Sequence, residues 1–431
     1  MDSCPRSKNP PKNRSGVALF MVVASMTLLA VLVTEFTYVA QVNSRMAFDS
    51  LDQVKAHALA KSGLKISLLR LKAYQTLKGF SGTSEGGSSG GPDLGSMIPK
   101  GILEKIWSFP FFYPIPTEVP GLTPGEREKI REFTKKSGFE GSFSALIESE
   151  SSKYNLNSLL APFAITPNPS PSPSNSPASP ASPAGTPGFN AEAAHKSLAD
   201  FLTQILSNKM ESDEVFASEY RDFRLDELVD NLIQWVDPNY QRRSAPPRDF
   251  RPKGGPFYSL TELRMIPPMD DGLYDLLAPQ LTVSSTPGIN VNTIKNLTLR
   301  ALMPGMTIEE VKEFFKFRDS PNADNSFKSA DDFFNYLKAN VAVFRGSDAE
   351  IQKFKESLSQ RNLQIITDES QFKITIQARV NQATRLLEAW VTLKSTGSGS
   401  TPPQPPRQAT EETQPMGAPD TGLRITSMRF L

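Results

Sequence analysis

Apolar and polar positions divide the chain into stretches of different period. The first sixteen residues are polar and basic, with Arg6, Lys8, Lys12 and Arg14, and they end in Arg14-Ser15-Gly16. Val17 to Val33 (VALFMVVASMTLLAVLV) then carries no charge over 17 residues, the lower end of what crosses a hydrocarbon core of ~30 Å as a helix. No proline follows from Glu35 to Phe80, and apolar residues recur at Leu51, Val54, Ala58, Leu64, Leu68 and Leu71, the spacing of one helix face. The pattern predicts a single helix whose first half spans a membrane and whose second half covers a domain.

Period two takes over further along. Phe143 to Leu160 (FSALIESESSKYNLNSLL) alternates apolar and polar residues and ends in the turn-prone Asn155-Leu156-Asn157. Phe372 to Val380 (FKITIQARV) and Leu386 to Leu393 (LLEAWVTL) alternate on either side of Asn381-Gln382, a hairpin signal, and Leu423 to Leu431 supplies one more strand. Between these strands, residues 195–345 read as helical, including Leu225 to Trp235 with apolar residues at 225, 228, 229, 232 and 235. The expected fold is α+β: a long N-terminal helix packed on an antiparallel sheet, with a large all-α domain inserted into it. The segments are 1–16, a leader; 17–80, the helix; 81–194, the first part of the sheet domain; 195–345, the insertion; 346–394, the later strands; and 395–431, a polar linker and last strand.

Composition adjusts this picture in three ways. Of the 36 prolines, eight gather with Ser in Thr166 to Gly188 and six in Ser395 to Asp420, while Ser81 to Gly95 is Gly/Ser-rich; such tracts bury too little apolar surface to fold and read as loops. Lys and Arg number 47 against 46 for Asp and Glu, so no global field gathers polyanions. The one cysteine, Cys4, lies in the leader, and the histidines are His57 and His195 alone, which leaves few parts for a disulfide framework, a histidine metal site or a hydrolytic triad. Gly86-Gly87-Ser88-Ser89-Gly90 matches a nucleophile-elbow pattern in form, yet no strand precedes it. No catalytic residue, no small-molecule substrate and no enzyme activity are expected.

A basic leader closed by Gly16 and followed at once by an apolar helix resembles the class III signal of type IV pilins and pseudopilins. That resemblance implies cleavage by prepilin peptidase between Gly16 and Val17. Most such subunits carry Glu at the fifth mature position, where this chain has Met21; an unpaired carboxylate in a bilayer is costly, and its absence is characteristic of the K-type minor pseudopilin (GspK) of type II secretion systems. The Asn155-Leu156-Asn157 element, the large helical insertion and Ile289-Asn290-Val291-Asn292-Thr293 are similar to the same family. The resemblance implies a pilin-like fold with helix-hairpin-helix or SAM-like repeats. It also implies a single-pass inner-membrane protein with a cytoplasmic N-terminus and periplasmic globular part. Val17, Leu19, Met21, Val22, Leu28, Leu29 and Leu32 then pack against neighbouring subunits. The implied partners are the I- and J-type minor pseudopilins, the major pseudopilin and prepilin peptidase. Calcium is the one ion the family implies, with Asp230 and Asp237 as weak candidates; the loop after Trp235-Val236-Asp237 holds Arg242, Arg243, Arg248, Arg251 and Lys253, a basic run that repels a cation. Interleaved with Tyr240, Phe250, Phe257 and Tyr258, the same loop reads either as a contact patch or as an ordinary charged surface.

One repeat opens a rival reading. Leu260-Thr261 through Met265-Ile266-Pro267-Pro268-Met269 matches Leu297-Thr298 through Leu302-Met303-Pro304-Gly305-Met306, 37 positions later. Such helix–turn–helix words also occur in helix-hairpin-helix DNA receptors, where backbone N–H groups hold phosphate. Residues 290–345 carry eight Lys/Arg and seven Asp/Glu, a balance that supplies little of the cation contact on which DNA affinity depends. Met306-Thr307 also stands where a second glycine would admit the backbone to a ligand. No nucleic acid is expected, and the repeat reads as a packing unit; a membrane-tethered DNA-uptake receptor and a type IV minor pilin are the alternatives.

Overall fold

The computed structural model describes residues 15–81, 100–117, 123–138, 140–160, 189–237, 239–242, 250–284, 286, 288–320, 324–393 and 422–431. Most of the leader, the Gly/Ser tract with its elbow-like pentapeptide, the Pro/Ser tract, the 395–420 linker and Arg243 and Arg248 lie outside the described residues.

Helix α1 runs unbroken from Ser15 to Ser81. Its second half lies on a five-stranded antiparallel sheet made of β1 (Phe111–Tyr113), β2 (Ser142–Ser149), β7 (Gln371–Val380), β8 (Ala383–Leu393) and β9 (Leu423–Phe430), in the order β1-β2-β7-β8-β9. The residues of α1 that turn to the sheet are Ala56, Leu59, Ala60, Gly63, Leu64, Ser67, Leu71 and Tyr74. This corrects the first half of the expected face, where Leu51, Val54 and Ala58 are exposed, while Leu64 and Leu71 are buried and Leu68 packs against the same core as expected. The reason is size. A stripe of Ala, Gly and Ser at three- and four-residue spacing lets the helix axis approach the sheet, which large side chains would hold off. At Gly63 an added Cβ would stand 3.0 Å from both Ile376 Cγ2 and Phe143 Cδ2.

The strands alternate as their sequences predict. In β2 the buried positions are Phe143, Ala145 and Ile147, and in β7 they are Phe372, Ile374, Ile376, Ala378 and Val380. The β7–β8 hairpin turns at Asn381, whose φ of 51° is a left-handed conformation that Asn tolerates. Trp107 of α2 (Lys100–Ser108) and Tyr74 of α1 close one end of this core edge-on against Phe372, with centroids 5.0 and 6.2 Å away. Arg70 of α1 donates from Nε to the Ile106 carbonyl, 3.0 Å, which ties α2 to the long helix. Helix α3 (Pro124–Lys136), opened by a Thr123/Glu126 capping box, flanks β1.

Neighbouring strands β2 and β7 pair from Ser142↔Arg379 to Ser149↔Phe372, so residues 150–370 all emerge from one ladder. They form a second body around two apolar cores. The first gathers Tyr154, Leu156 and Leu159 with α4 (Ala191–Ser212), α6 (Leu225–Val236) and Phe257; α5 (Glu214–Glu219) and α7 (Asp271–Leu277) attach through Phe216, Tyr220 and Leu273. The second gathers Ile289, Val291 and Ile294 with α8 (Asn296–Leu302), α9 (Ile308–Arg318), α10 (Ala330–Asn340) and α11 (Asp348–Gln360). The helical run therefore continues past residue 345, because Ile351, Phe354 and Leu358 of α11 bury against that second core.

Candidate functional site

The expected functional residues lie on α1, and their environment changes sharply along it. Val17, Leu19, Met21, Val22, Leu28, Leu29 and Leu32 are between 50% and 68% exposed, so no described part of the molecule covers them. Across this stretch the mean hydropathy reaches 2.6. Its hydroxyls need no water: Ser25 donates to the Val22 carbonyl at 2.9 Å, Thr27 to Ala24 at 2.9 Å, Thr34 to Ala30 at 2.8 Å and Thr37 to Val33 at 2.7 Å. A helix stretch whose hydroxyls are closed on its own backbone is suited to hydrocarbon. Among the described residues nothing lies within 4 Å of where a Cβ on Gly16 would stand, so none of them calls for glycine there by packing.

A buried polar neck joins the sheet to the helical body. Glu369 is 1% exposed; it accepts from the hydroxyls of Ser149 and Ser151, the latter at 2.9 Å, and from the backbone N–H groups of Ser370 and Gln371, both 2.9 Å. Burial pushes its carboxyl above the usual range, against the pull of those four donors. Beside it Lys153 pairs with Glu150 at 2.7 Å, both almost wholly buried, and Glu150 also accepts from Thr282. Asn290 N–H reaches back to the Ser151 carbonyl at 3.0 Å.

From this neck two small parallel ladders start, and they are built alike. β3 (Tyr154–Asn155) pairs with β4 (Leu281–Thr282), and β5 (Ile289–Asn290) pairs with β6 (Ile365–Ile366). In each, the first Asn of an Asn-x-Asn triplet accepts from the N–H two residues on: Asn155 from Asn157 at 2.9 Å, Asn290 from Asn292 at 3.0 Å. The second Asn clamps a distant phenylalanine backbone. Asn157 donates to Phe257 O at 3.0 Å and accepts from its N–H at 2.8 Å; Asn292 does the same to Phe327 at 3.0 and 2.9 Å. Two residues beyond each Phe, Ser259 and Ser329 open a capping box with Glu262 and Asp332. The signal was in the sequence as two copies of Asn-x-Asn and of Phe-x-Ser-x-x-acid, at unequal spacing because α4 to α6 lengthen the first unit.

The repeat at 260 and 297 is structured as a short 3-10 turn (Leu260–Met265) before α7 and as α8 before α9. Met303 and Met306 at the second turn are buried, and Thr307 caps α9 with Glu310, which also accepts from Ala342 N–H at 2.7 Å.

The calcium candidates are engaged with neighbouring groups of the fold. Asp230 is 4% exposed and accepts from the Tyr240 hydroxyl at 2.8 Å, while Asp237 accepts from Asn239 N–H at 2.9 Å. Among the described residues no group of three or more His, Cys, Asp or Glu is gathered as a metal site, so the described donors do not fit an ion that takes six or more oxygens. The basic loop packs inward at its described ends: Arg242 bonds Gln234 at 2.8 Å, Lys253 bonds Glu262 at 2.9 Å, and Phe250 and Phe257 stack on Trp235. His57 lies against the Phe430 ring, 4.1 Å, and His195 edge-on to Tyr240, 5.2 Å.

No protein-family model matches this chain, and no curated protein matches it. Among solved structures it is similar to a chain of the GspK-GspI-GspJ complex of the type 2 secretion system of enterotoxigenic Escherichia coli, at 13% identity and a TM-score of 0.46, over 88% of this chain and 97% of that one.

Proposed function

We propose that this chain is a K-type minor pseudopilin of a type II secretion system, cut behind Gly16, anchored in the inner membrane by Val17 to Val33 and carried at the tip of the pseudopilus. It acts mechanically. With the I- and J-type minor pseudopilins it primes assembly above the major pseudopilin and helps drive folded exoproteins across the outer membrane. The observation that carries this reading is the division of α1: one uninterrupted helix, bare and apolar in its first half and buried under a sheet in its second. Such a helix stacks with its like in a fibre, while the wide body at residues 150–370 hinders a further subunit from stacking ahead.

The test is the intact mass of the protein recovered from cells with and without prepilin peptidase, together with its co-purification with I- and J-type pseudopilins. The expected product begins at Val17 only when the peptidase is present and brings both partners with it. Functional protein that retains Met1 to Gly16 sinks the proposal. Gly16→Leu is expected to block processing and leave the melting of the globular part unchanged.

A further inference from the structure

A cavity of about 300 Å³ opens between α4, the α8–α9 turn and α11. One wall is apolar: Met303, Met306, Phe344 and Phe354 line it. Against that wall stands Arg361. Its Nε donates to the Ser357 carbonyl at 3.1 Å and its Nη1 to the Leu302 carbonyl at 3.4 Å, the ends of α11 and α8. Those carbonyls aim the guanidinium and contribute partial helix-end charge, but among the described residues Arg361 has no ion pair, and Nη2 is left without a hydrogen bond. The exposed Lys196 at the rim is likewise unpaired among them. Asp200 is the one carboxylate in the lining; it acts on Arg361 from beyond ion-pair distance. Burial lowers the Arg361 pKa, as expected of a cation held in an apolar wall without a full counter-charge.

A half-buried cation facing an apolar hollow calls for a ligand that is itself apolar and anionic. We propose that this cavity binds a peptide segment of another protein in which a large apolar side chain sits beside a carboxylate. The side chain fills the Met and Phe wall, and the carboxylate lies between Arg361 and Lys196. The volume suits one such side chain, and methionines adapt to its shape. A nucleic acid fits poorly, because thioether and phenyl groups offer a phosphate no donors. The tract immediately before α4, residues 161–188, holds no Asp or Glu, so the nearest stretch of this chain does not supply the carboxylate.

Fluorescence anisotropy on the full chain in detergent tests the proposal. The probes are a fluorescein-labelled peptide Ser-Gly-Phe-Glu-Leu-Asp-Gly and its counterpart with Gln and Asn for the two acids. At physiological salt the acidic peptide is expected to bind about ten-fold tighter than the neutral one, a difference Lys196→Glu removes. Val343→Trp, at a half-exposed lining position away from both cations, is expected to block both peptides while the melting curve stays in place. Equal binding of the two peptides, no detectable binding of the acidic one, or indifference to Lys196→Glu overturns the proposal. Competition by duplex DNA that weakens in Lys196→Glu overturns it in favour of a nucleic-acid site.

Discussion

At the scale of single residues, the neck and the two asparagine clamps hold the helical body in place. Glu369 is the clearest case, a carboxylate with four donors and, among the described residues, no cation paired with it. Because burial raises its folded pKa above the ordinary 4.5, the folded state binds a proton more readily than the unfolded one. Its contribution is therefore favourable below about pH 4.5 and is lost as pH rises through the folded value. Glu369→Gln, which keeps the shape and removes the charge, is expected to match or exceed the wild type in stability at pH 7 and to lose that advantage in melts towards pH 4. Glu369→Ala leaves the donors buried without an acceptor and is expected to cost ~2–4 kcal/mol. The clamps predict a symmetrical result: Asn157→Ala and Asn292→Ala each strand a phenylalanine N–H and two carbonyls, at about 2–4 kcal/mol each. Hydrogen exchange should show faster exchange in residues 154–284 for the first and 289–367 for the second. Indistinguishable exchange maps would mean that the two units do not open separately. The sequence disclosed Asn157 as part of a turn signal and Asn292 through a family resemblance, but their partners at Phe257 and Phe327 lie 100 and 35 residues away, and such pairing has no local pattern.

At the scale of elements, α1 was the most legible and also the most instructive. Length, absence of proline and the uncharged run foretold its extent, and alternation foretold β2, β7, β8 and β9. The buried face was placed correctly at Leu64, Leu68 and Leu71 and misplaced at Leu51, Val54 and Ala58, because hydrophobicity alone does not mark Ala56, Ala60, Gly63 and Ser67, small residues whose value is closeness. β1, α2 and α3 left little trace, being short or amphipathic only in part. Gly63→Val is expected to force Ile376 and Phe143 aside and to destabilise the sheet core by about 2–3 kcal/mol, read as a lowered urea midpoint. The membrane half answers to a different solvent. Ser25 lies midway along Val17 to Val33, and Ser25→Asp places a charge there at a cost of roughly 2.5–3.5 kcal/mol. Membrane fractionation and secretion should both fall while the melting of the globular part is unchanged; export untouched by this change would count against the proposed stacking role.

At the scale of the whole molecule, the apparent excess of residues between two paired strands is what the alternating pattern could reveal only in outline. The runs at 143 and 372 read as strands, but nothing local says that they are neighbours. Their adjacency follows from the register Ser142↔Arg379 to Ser149↔Phe372 and means that the body at 150–370 hangs from a single ladder through the Glu369 and Glu150 contacts.

That attachment dictates a sequence of events when the chain is made. Strand β2 is made long before β7, and until β7 and β8 arrive the Ala56 to Tyr74 stripe of α1 has, among the described elements, only α2, β1 and β2 to cover it. The later body can complete its own cores meanwhile, since few of its contacts depend on the ladder. Closure of the sheet thus waits on the C-terminal strands, and a nascent chain stalled before residue 371 would leave the α1 stripe half covered. The cover of α1 is thereby tied to the completion of nearly the entire polypeptide.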